Sequence, residues 1–354
     1  MSIRDCFNAA MQYAPADRLP VVSFESYYES ATLERWYAEG LPRGVSPETH
    51  LGMDSMSWVP FSLSPIPPFE ERVLSENDQE YVAIDWMGTT VRRLKEAPHM
   101  YYGHIDHPVK NRQDWLAYRE RFSPDSRRTP DDLDKAAAQF NASTLPVGVC
   151  FFPFFFRLGF YSMGMERFLT AFYDSPGLIH EMFSYWSELT LRGLRPLMGR
   201  IRIDVATFAE DLAYKGGPHI SPKTYREFWL PYQDPIIREL QRGGVPIISL
   251  WTSGNIEALL PLLLEHGFNC TWPTERGAGM DPLRLRRRFG RDLRMGGGIP
   301  KEALIAGPAA IDAAIEELLP LMREGGFIPA VDDVVPPEVT FESFRYYVAA
   351  LRRA

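Results

Sequence analysis

PIISLWTSGNIEALLP, residues 246–261, decides the architecture. It opens as a β-branched apolar run of the kind buried on both faces in a parallel sheet, and from Asn255 onward it reads as a helix. Between the two halves stand Trp251, Thr252, Ser253 and Gly254. In α/β barrels and doubly wound sheets, the carboxyl end of a strand meets the next helix over the ligand crevice, so these residues are placed to touch a substrate. Trp251 offers an aromatic face and Ser253 a hydroxyl, while Asn255 and the helix start offer donors to an anionic or carbonyl oxygen. Capping of the helix by Ser253 is the alternative use of that side chain.

The same alternation repeats on either side. Strands are predicted at 146–151, 204–209, 245–250, 268–272, 292–296 and 327–331. Helices are predicted near 165–174, 177–200, 222–242, 255–266, 281–289, 308–323 and 340–353. An earlier strand at 19–24 (LPVVSF) and another within 51–61 (LGMDSMSWVPF) bring the strands to eight. The pattern predicts an α/β chain folded as a single (β/α)8 TIM barrel, one domain over residues 1–354. Only 66–130 departs from it. YVAIDWMGTTVRRL (81–94) reads as a β-hairpin turning at a glycine, and a loop containing Pro and His follows, so this region is expected as an insertion decorating the barrel.

Composition narrows the function classes. Of the 354 residues, 45% are hydrophobic and 24% charged, values of an ordinary globular chain. A net charge of -8 argues against a nucleic-acid partner, and the basic run RLRRRFGRDLR (284–294) reads as a solvated helix face. The apolar stretch VGVCFFPFFFRLGF (147–160) is interrupted by Pro153 and Arg157 and falls short of the ~20 residues of a membrane span. Cys6, Cys150 and Cys270 lie far apart without CxxC spacing, so a cytoplasmic protein without disulfides is expected. GHIDHPVK (103–110) places His104, Asp106 and His107 together but lacks further ligands at useful spacing, and it is read as loop.

If the strands close into a barrel, the residues past them share one mouth, and acids dominate it. Glu25 and Glu29 follow the first strand, Asp54 lies in the second, Glu210 and Asp211 follow 204–209, Glu275 follows 268–272, and Asp332 and Asp333 follow 327–331. Clustered carboxylates persist by sharing protons, by facing a cation, or by accepting hydrogen bonds from a donor-rich ligand. Some of these acids are expected to cap helices or to pair with Arg157, Lys215, Arg276 and Lys301. The aromatic run before Arg157 suits a flat ligand, with Arg157 pairing one ligand carboxylate.

AEDLAYKGGPHISPKTYREFWLP (209–231), the stretch from SGNIEALLP to GGGIPKEAL (253–304), and GGFIPAVDDVVPPEVTFESFRYY (325–347) resemble the uroporphyrinogen decarboxylase superfamily. That resemblance implies a (β/α)8 barrel and either decarboxylation or methyl transfer between corrinoids and thiols. Asp54 resembles the aspartate that accepts pyrrole N–H bonds in the decarboxylases, and the family tyrosine falls near Phe160 or Tyr161. Glu25 and Glu29 stand where decarboxylases carry two carboxylate-binding arginines, and Asp333 replaces a histidine. The His-x-Cys pair of the methyltransferase branch is replaced by Trp251 and Ser253.

The expectation is therefore an enzyme acting on a carboxyl or other one-carbon group of an aromatic or tetrapyrrole-like small molecule. Asp54, Glu210, Asp211 and Asp333 are the catalytic candidates; Glu25, Glu29, Arg157, Tyr161, Trp251, Ser253, Asn255, Glu275 and Asp332 are the substrate-binding candidates. Neither cofactor nor metal is expected. The alternative is methyl transfer with a corrinoid protein partner and a divalent ion held by Glu210, Asp211, Glu275 and Asp332. A non-catalytic binding barrel is the third reading, and a homodimer is allowed.

Overall fold

A computed structural model describes residues 1–22, 28–95 and 103–354. Thirteen strands are present among them: β1 (Ser57–Trp58), β2 (Arg72–Glu76), β3 (Glu80–Ile84), β4 (Thr90–Leu94), β5 (Gly103–Asp106), β6 (Val147–Phe151), β7 (Val205–Ala209), β8 (Ala213–Tyr214), β9 (Gly217–Pro218), β10 (Ile247–Trp251), β11 (Cys270–Thr274), β12 (Arg294–Ile299) and β13 (Phe327–Val331). Seven of these form one parallel sheet in the order β1-β6-β7-β10-β11-β12-β13. Helices connect successive members from β6 onward, which gives the mixed α/β alternation its physical form.

The sheet curls around an inner cluster. Val205 of β7 is in register with Gly148 of β6 and Ile247 of β10, and Ser249 with Cys270 of β11, so these positions share the inner face. Val205, Ile247, Cys270, Trp272, Ile328 and Ala330 pack there with Val22, and Phe7 and Met11 from the helix Ile3–Met11 close the cluster at the strands' amino end. That helix is fastened by the Arg4–Asp204 ion pair at 2.8 Å and by the Gly326 N–H bond to the Ala10 carbonyl at 2.7 Å.

Residues 23 and 24 of the first predicted strand lie outside the described residues, and the second predicted strand is shorter than expected. Val22 forms an isolated parallel bridge with Asp54, and Tyr28 forms another with Val335. The helix Pro47–Leu51 takes the start of the predicted 51–61 strand, leaving β1 as two residues. Two predicted helices are also cut by proline. The segment 222–242 divides into Pro222–Phe228 and Leu230–Arg242, with Pro231 in the first turn of the second helix, and 255–266 becomes helical only at Leu260, next to Pro261.

The insertion is more ordered than a hairpin and loop. The hairpin of β3 and β4 is present, but β2 and β5 flank it in a four-stranded antiparallel sheet. GHIDHPVK, read as loop, contributes β5, with Val91 of β4 opposite His104. No helix among the described residues is long and apolar enough to cross a membrane.

Two glycines make room for indoles on the inner face. A Cβ at Gly148 would lie 2.5 Å from the Trp58 ring, and one at Gly296 would lie 1.5 Å from the Trp272 ring. Gly296→Ala is therefore expected to cost about 3 kcal/mol by overpacking. In urea unfolding, the double variant Gly296→Ala/Trp272→Ala should recover part of that loss.

Candidate active site

At the carboxyl end of β10, β11 and β13, a cavity of about 70 Å³ is lined by Trp251, Ser253, Trp272, Pro273, Val331, Asp333 and Val334. Trp251 and Trp272 are opposite one another in the β10–β11 register, which places both indoles on the inner face. Trp58 is on that face too, because it is in register with Gly148 and lies two residues beyond Met56, which packs on the inner cluster. It keeps 37% of its surface exposed.

The cation of the site is Arg157. It stands in the first turn of the helix Phe155–Met163, with its guanidinium carbon 4.9 Å from the Trp251 ring centroid and 5.3 Å from that of Phe152. Its Nε donates to the Glu210 carbonyl at 3.3 Å and an Nη donates to the Tyr161 hydroxyl at 3.4 Å. Trp86, from the inserted sheet, lies 6.4 Å from both Phe152 and Tyr161, so the insertion supplies part of the wall.

The acids past the strands are mostly engaged by backbone. Glu210 follows β7 and is fully buried. One carboxylate oxygen accepts from Phe156 N at 2.8 Å and Arg157 N at 3.4 Å, and the other accepts from the Trp229 indole N–H at 3.1 Å. It thus caps a helix whose own N-cap, Phe154, has no side-chain acceptor. Glu275 follows β11 and accepts from Gly254 N at 2.9 Å. Asp332 follows β13 and accepts from Arg276 N at 2.9 Å and Lys301 N at 3.2 Å.

Burial pushes the Glu210 carboxyl up from its usual 4.5 to about 8, against the pull of the Trp229, Phe156 and Arg157 N–H groups. It likewise raises Asp332 from 3.8 to about 7. Asp333 takes the Lys301 ammonium at 2.6 Å, and although burial alone would lower it, that bond keeps Lys301 above its ordinary value.

Asp54 is a correction. It precedes β1 by three residues, and Ser57, the first residue of β1, pairs with Val147, the first of β6, so Asp54 lies at the amino end of the sheet, opposite the cavity. Its carboxylate is held by Arg18 at 2.6 and 2.7 Å and by Val21 N at 2.9 Å. The LGMDS pattern misled because the strand starts later than its apolar run suggests. Glu25 lies outside the described residues, and Glu29 is the N-cap residue of the helix Ser30–Ala38, with no side-chain capping bond.

Asn255 turns its carbonyl oxygen onto Glu257 N at 3.0 Å, while Ser253 faces the cavity and does not cap a helix. The proposed all-oxygen cation set is not gathered. Glu210, Glu275 and Asp332 each bind backbone N–H groups, and among the described residues no three His, Cys, Asp or Glu side chains form a group able to hold a metal ion. The residues do not fit such an ion.

Several residues of the site gave no clear signal in sequence. Trp272 is hidden inside a strand, Trp86 inside the insertion, and Trp58 inside a run read as strand. His219 is stacked between Phe156 at 5.4 Å and Tyr214 at 5.3 Å, where burial lowers its basicity and Asp211 opposes that shift. The pairing of Gly148 and Gly296 with indoles was the one available clue.

Residues 138–354 match the model of the uroporphyrinogen decarboxylase (URO-D) family. A uroporphyrinogen decarboxylase from Nocardia farcinica is 26% identical over 148 residues, covering 42% of this chain and 39% of that protein. The match therefore spans well under half of that relative. A methyltransferase from Methanosarcina mazei superposes with a TM-score of 0.62 over 100% of this chain and 99% of that one, at 16% identity, a likeness of fold.

A carboxyl whose folded pKa is raised binds its proton more tightly in the folded chain, so it opposes folding increasingly as pH rises from its ordinary value to its folded one. Glu210 then removes stability between pH 4.5 and about 8, and Asp332 between 3.8 and about 7. Urea unfolding from pH 5 to 8 should show a falling contribution that is reduced in Asp332→Asn. Glu210→Ala, which strands three buried N–H groups, should lose roughly 2–4 kcal/mol at pH 5.

Proposed function

The chain belongs to the uroporphyrinogen decarboxylase family, and from that premise we propose a single-domain (β/α)8 enzyme, carboxy-lyase-like, acting on a carboxyl or other one-carbon group of an aromatic or tetrapyrrole-like anion. In this reading the isolated parallel bridges Val22–Asp54 and Tyr28–Val335, one to each side of the sheet, support a closed barrel. The observation that supports the reading best is Arg157, held over the Trp251 and Phe152 rings beside a cavity that ends at Asp333.

Each residue then has a role. Arg157 takes an anionic group of the substrate, and Trp251 and Trp272 stack on its ring. Tyr161 and Glu210 orient Arg157, the latter through its carbonyl. The Asp333–Lys301 pair handles the proton. A proton from the Lys301 ammonium, which Asp333 holds, adds to the ring carbon bearing the carboxylate, the bond to that carboxylate breaks, its electron pair returns to the ring, and CO₂ leaves. Lys301 then regains its proton from solvent. Uroporphyrinogen, an octacarboxylate, would meet Glu275, Asp332 and Asp333 at the mouth and is not the substrate in this reading.

Methyl transfer with a corrinoid protein is the weaker reading. The oxygen ligands it would call on are bound to backbone N–H groups, and Cys270 is buried with its thiol pushed up to about 11. The test is release of labelled CO₂ from a panel of carboxyl-labelled pyrrole and benzene carboxylates. Lys301→Met and Asp333→Asn should each lower turnover by about 10²-fold or more, the scale of general acid catalysis. Methyl transfer to cobalamin without CO₂ release would replace the proposal.

A further inference from the structure

The two acids that follow β13 grip one lysine by both ends. Asp333 takes the Lys301 ammonium at 2.6 Å, and Asp332 takes the Lys301 backbone N–H at 3.2 Å. Lys301 opens the helix Lys301–Ala306, whose N-cap residue is Pro300 and supplies no side-chain acceptor, so an acid from the next strand satisfies that N–H instead. The other Asp332 oxygen accepts from Arg276 N at 2.9 Å, at the start of the turn Arg276–Ala278, where Glu275 likewise makes no side-chain capping bond. One carboxylate, 2% exposed, therefore joins the loops after β11 and β12, one oxygen to each.

The tie reaches both sides of the cavity. Glu275, next to Arg276, holds Gly254 N beside Ser253, and Asp333, next to Asp332, lines the far side. The Arg276 guanidinium turns away to Glu317, with both bonds at 2.8 Å, whereas the Lys301 ammonium is bonded to a residue that lines the cavity. Burial, then the charges of Glu302 and Asp333, push the Asp332 carboxyl up to about 7 against its two N–H bonds. Lys301, Arg276 and Tyr347 feel its charge in turn.

Resting on the reading of Lys301 as the proton donor, we infer that Asp332 is its positioning residue: by capping the start of that helix it presents the Lys301 ammonium to Asp333 beside the cavity. An amide is a poor replacement. In Asp332→Asn one acceptor oxygen is kept, and an NH₂ group is set against the other N–H.

Competitive acetylation of the full chain with acetic anhydride, read by mass spectrometry of the Lys301 peptide, tests this without a substrate. Asp332→Asn should make Lys301 about three-fold or more reactive at pH 8, because the loosened amine loses a facing negative charge, while the exposed Lys135 and Lys223 stay unchanged. With whichever labelled acid of the panel releases CO₂, the variant should lower kcat about ten-fold at a KM within about two-fold, and its alkaline limb should move to lower pH. In the unmodified chain, the backbone amide protons of Arg276 and Lys301 should shift together in NMR with one midpoint at about 7. Unaltered Lys301 reactivity, or two amides that titrate apart, would overturn the inference. Altered labelling without CO₂ release from any acid of the panel would sustain the hold on Lys301 and overturn the decarboxylase reading. The amide titration decides even if the variant fails to fold.

Discussion

A carboxylate placed just past one strand reaches back to hold the backbone that follows an earlier strand, and the mouth of the sheet depends on this. Glu210 after β7 holds Phe156 and Arg157 after β6, Glu275 after β11 holds Gly254 after β10, and Asp332 after β13 holds Lys301 after β12. Helix starts and turns expose N–H groups that need acceptors, and an acid from the next unit supplies one without lengthening the loop. The same bonds fix the site. One of the residues whose N–H groups Glu210 accepts is Arg157, so cap and cation are positioned together.

This arrangement recasts the abundance of acids. Their burial comes with hydrogen-bond donors on both sides, which is the condition under which a low-dielectric interior tolerates them. The chemistry of the mouth then belongs to groups that face the open space: Asp333 with Lys301, Ser253, and the indoles. Aromatic rings from three separate parts of the chain, Trp86 of the insertion, Phe152 after β6 and Trp251 of β10, converge around Arg157.

Strands β6, β7, β10, β11, β12 and β13 were legible because each is an apolar run followed by a polar or glycine-containing turn and a helix. Such local chemistry survives in the tertiary structure. The amino-terminal part was harder to read, since β1 is two residues long and Asp54 enters it from the opposite end. A capping role was foreseeable for the acids as a class, but which N–H each would take is a matter of register between strands, with partners 21 to 56 residues apart. Trp251, Ser253 and Asp333, expected together because strand ends share a mouth, line one cavity there. Trp272 was missed because period-two alternation, which places it on the inner face, is masked when neighbouring strands are buried on both faces.

The helix Ile3–Met11 drives Phe7 and Met11 into the amino end of the inner cluster, where both are fully buried. The inner face is thereby stoppered at the strands' amino end. In the proposed reading, substrate and product would both use the carboxyl end, where Trp272 and the cavity lie. The helix that imposes this stands at the far end of the sheet and lines no part of that cavity.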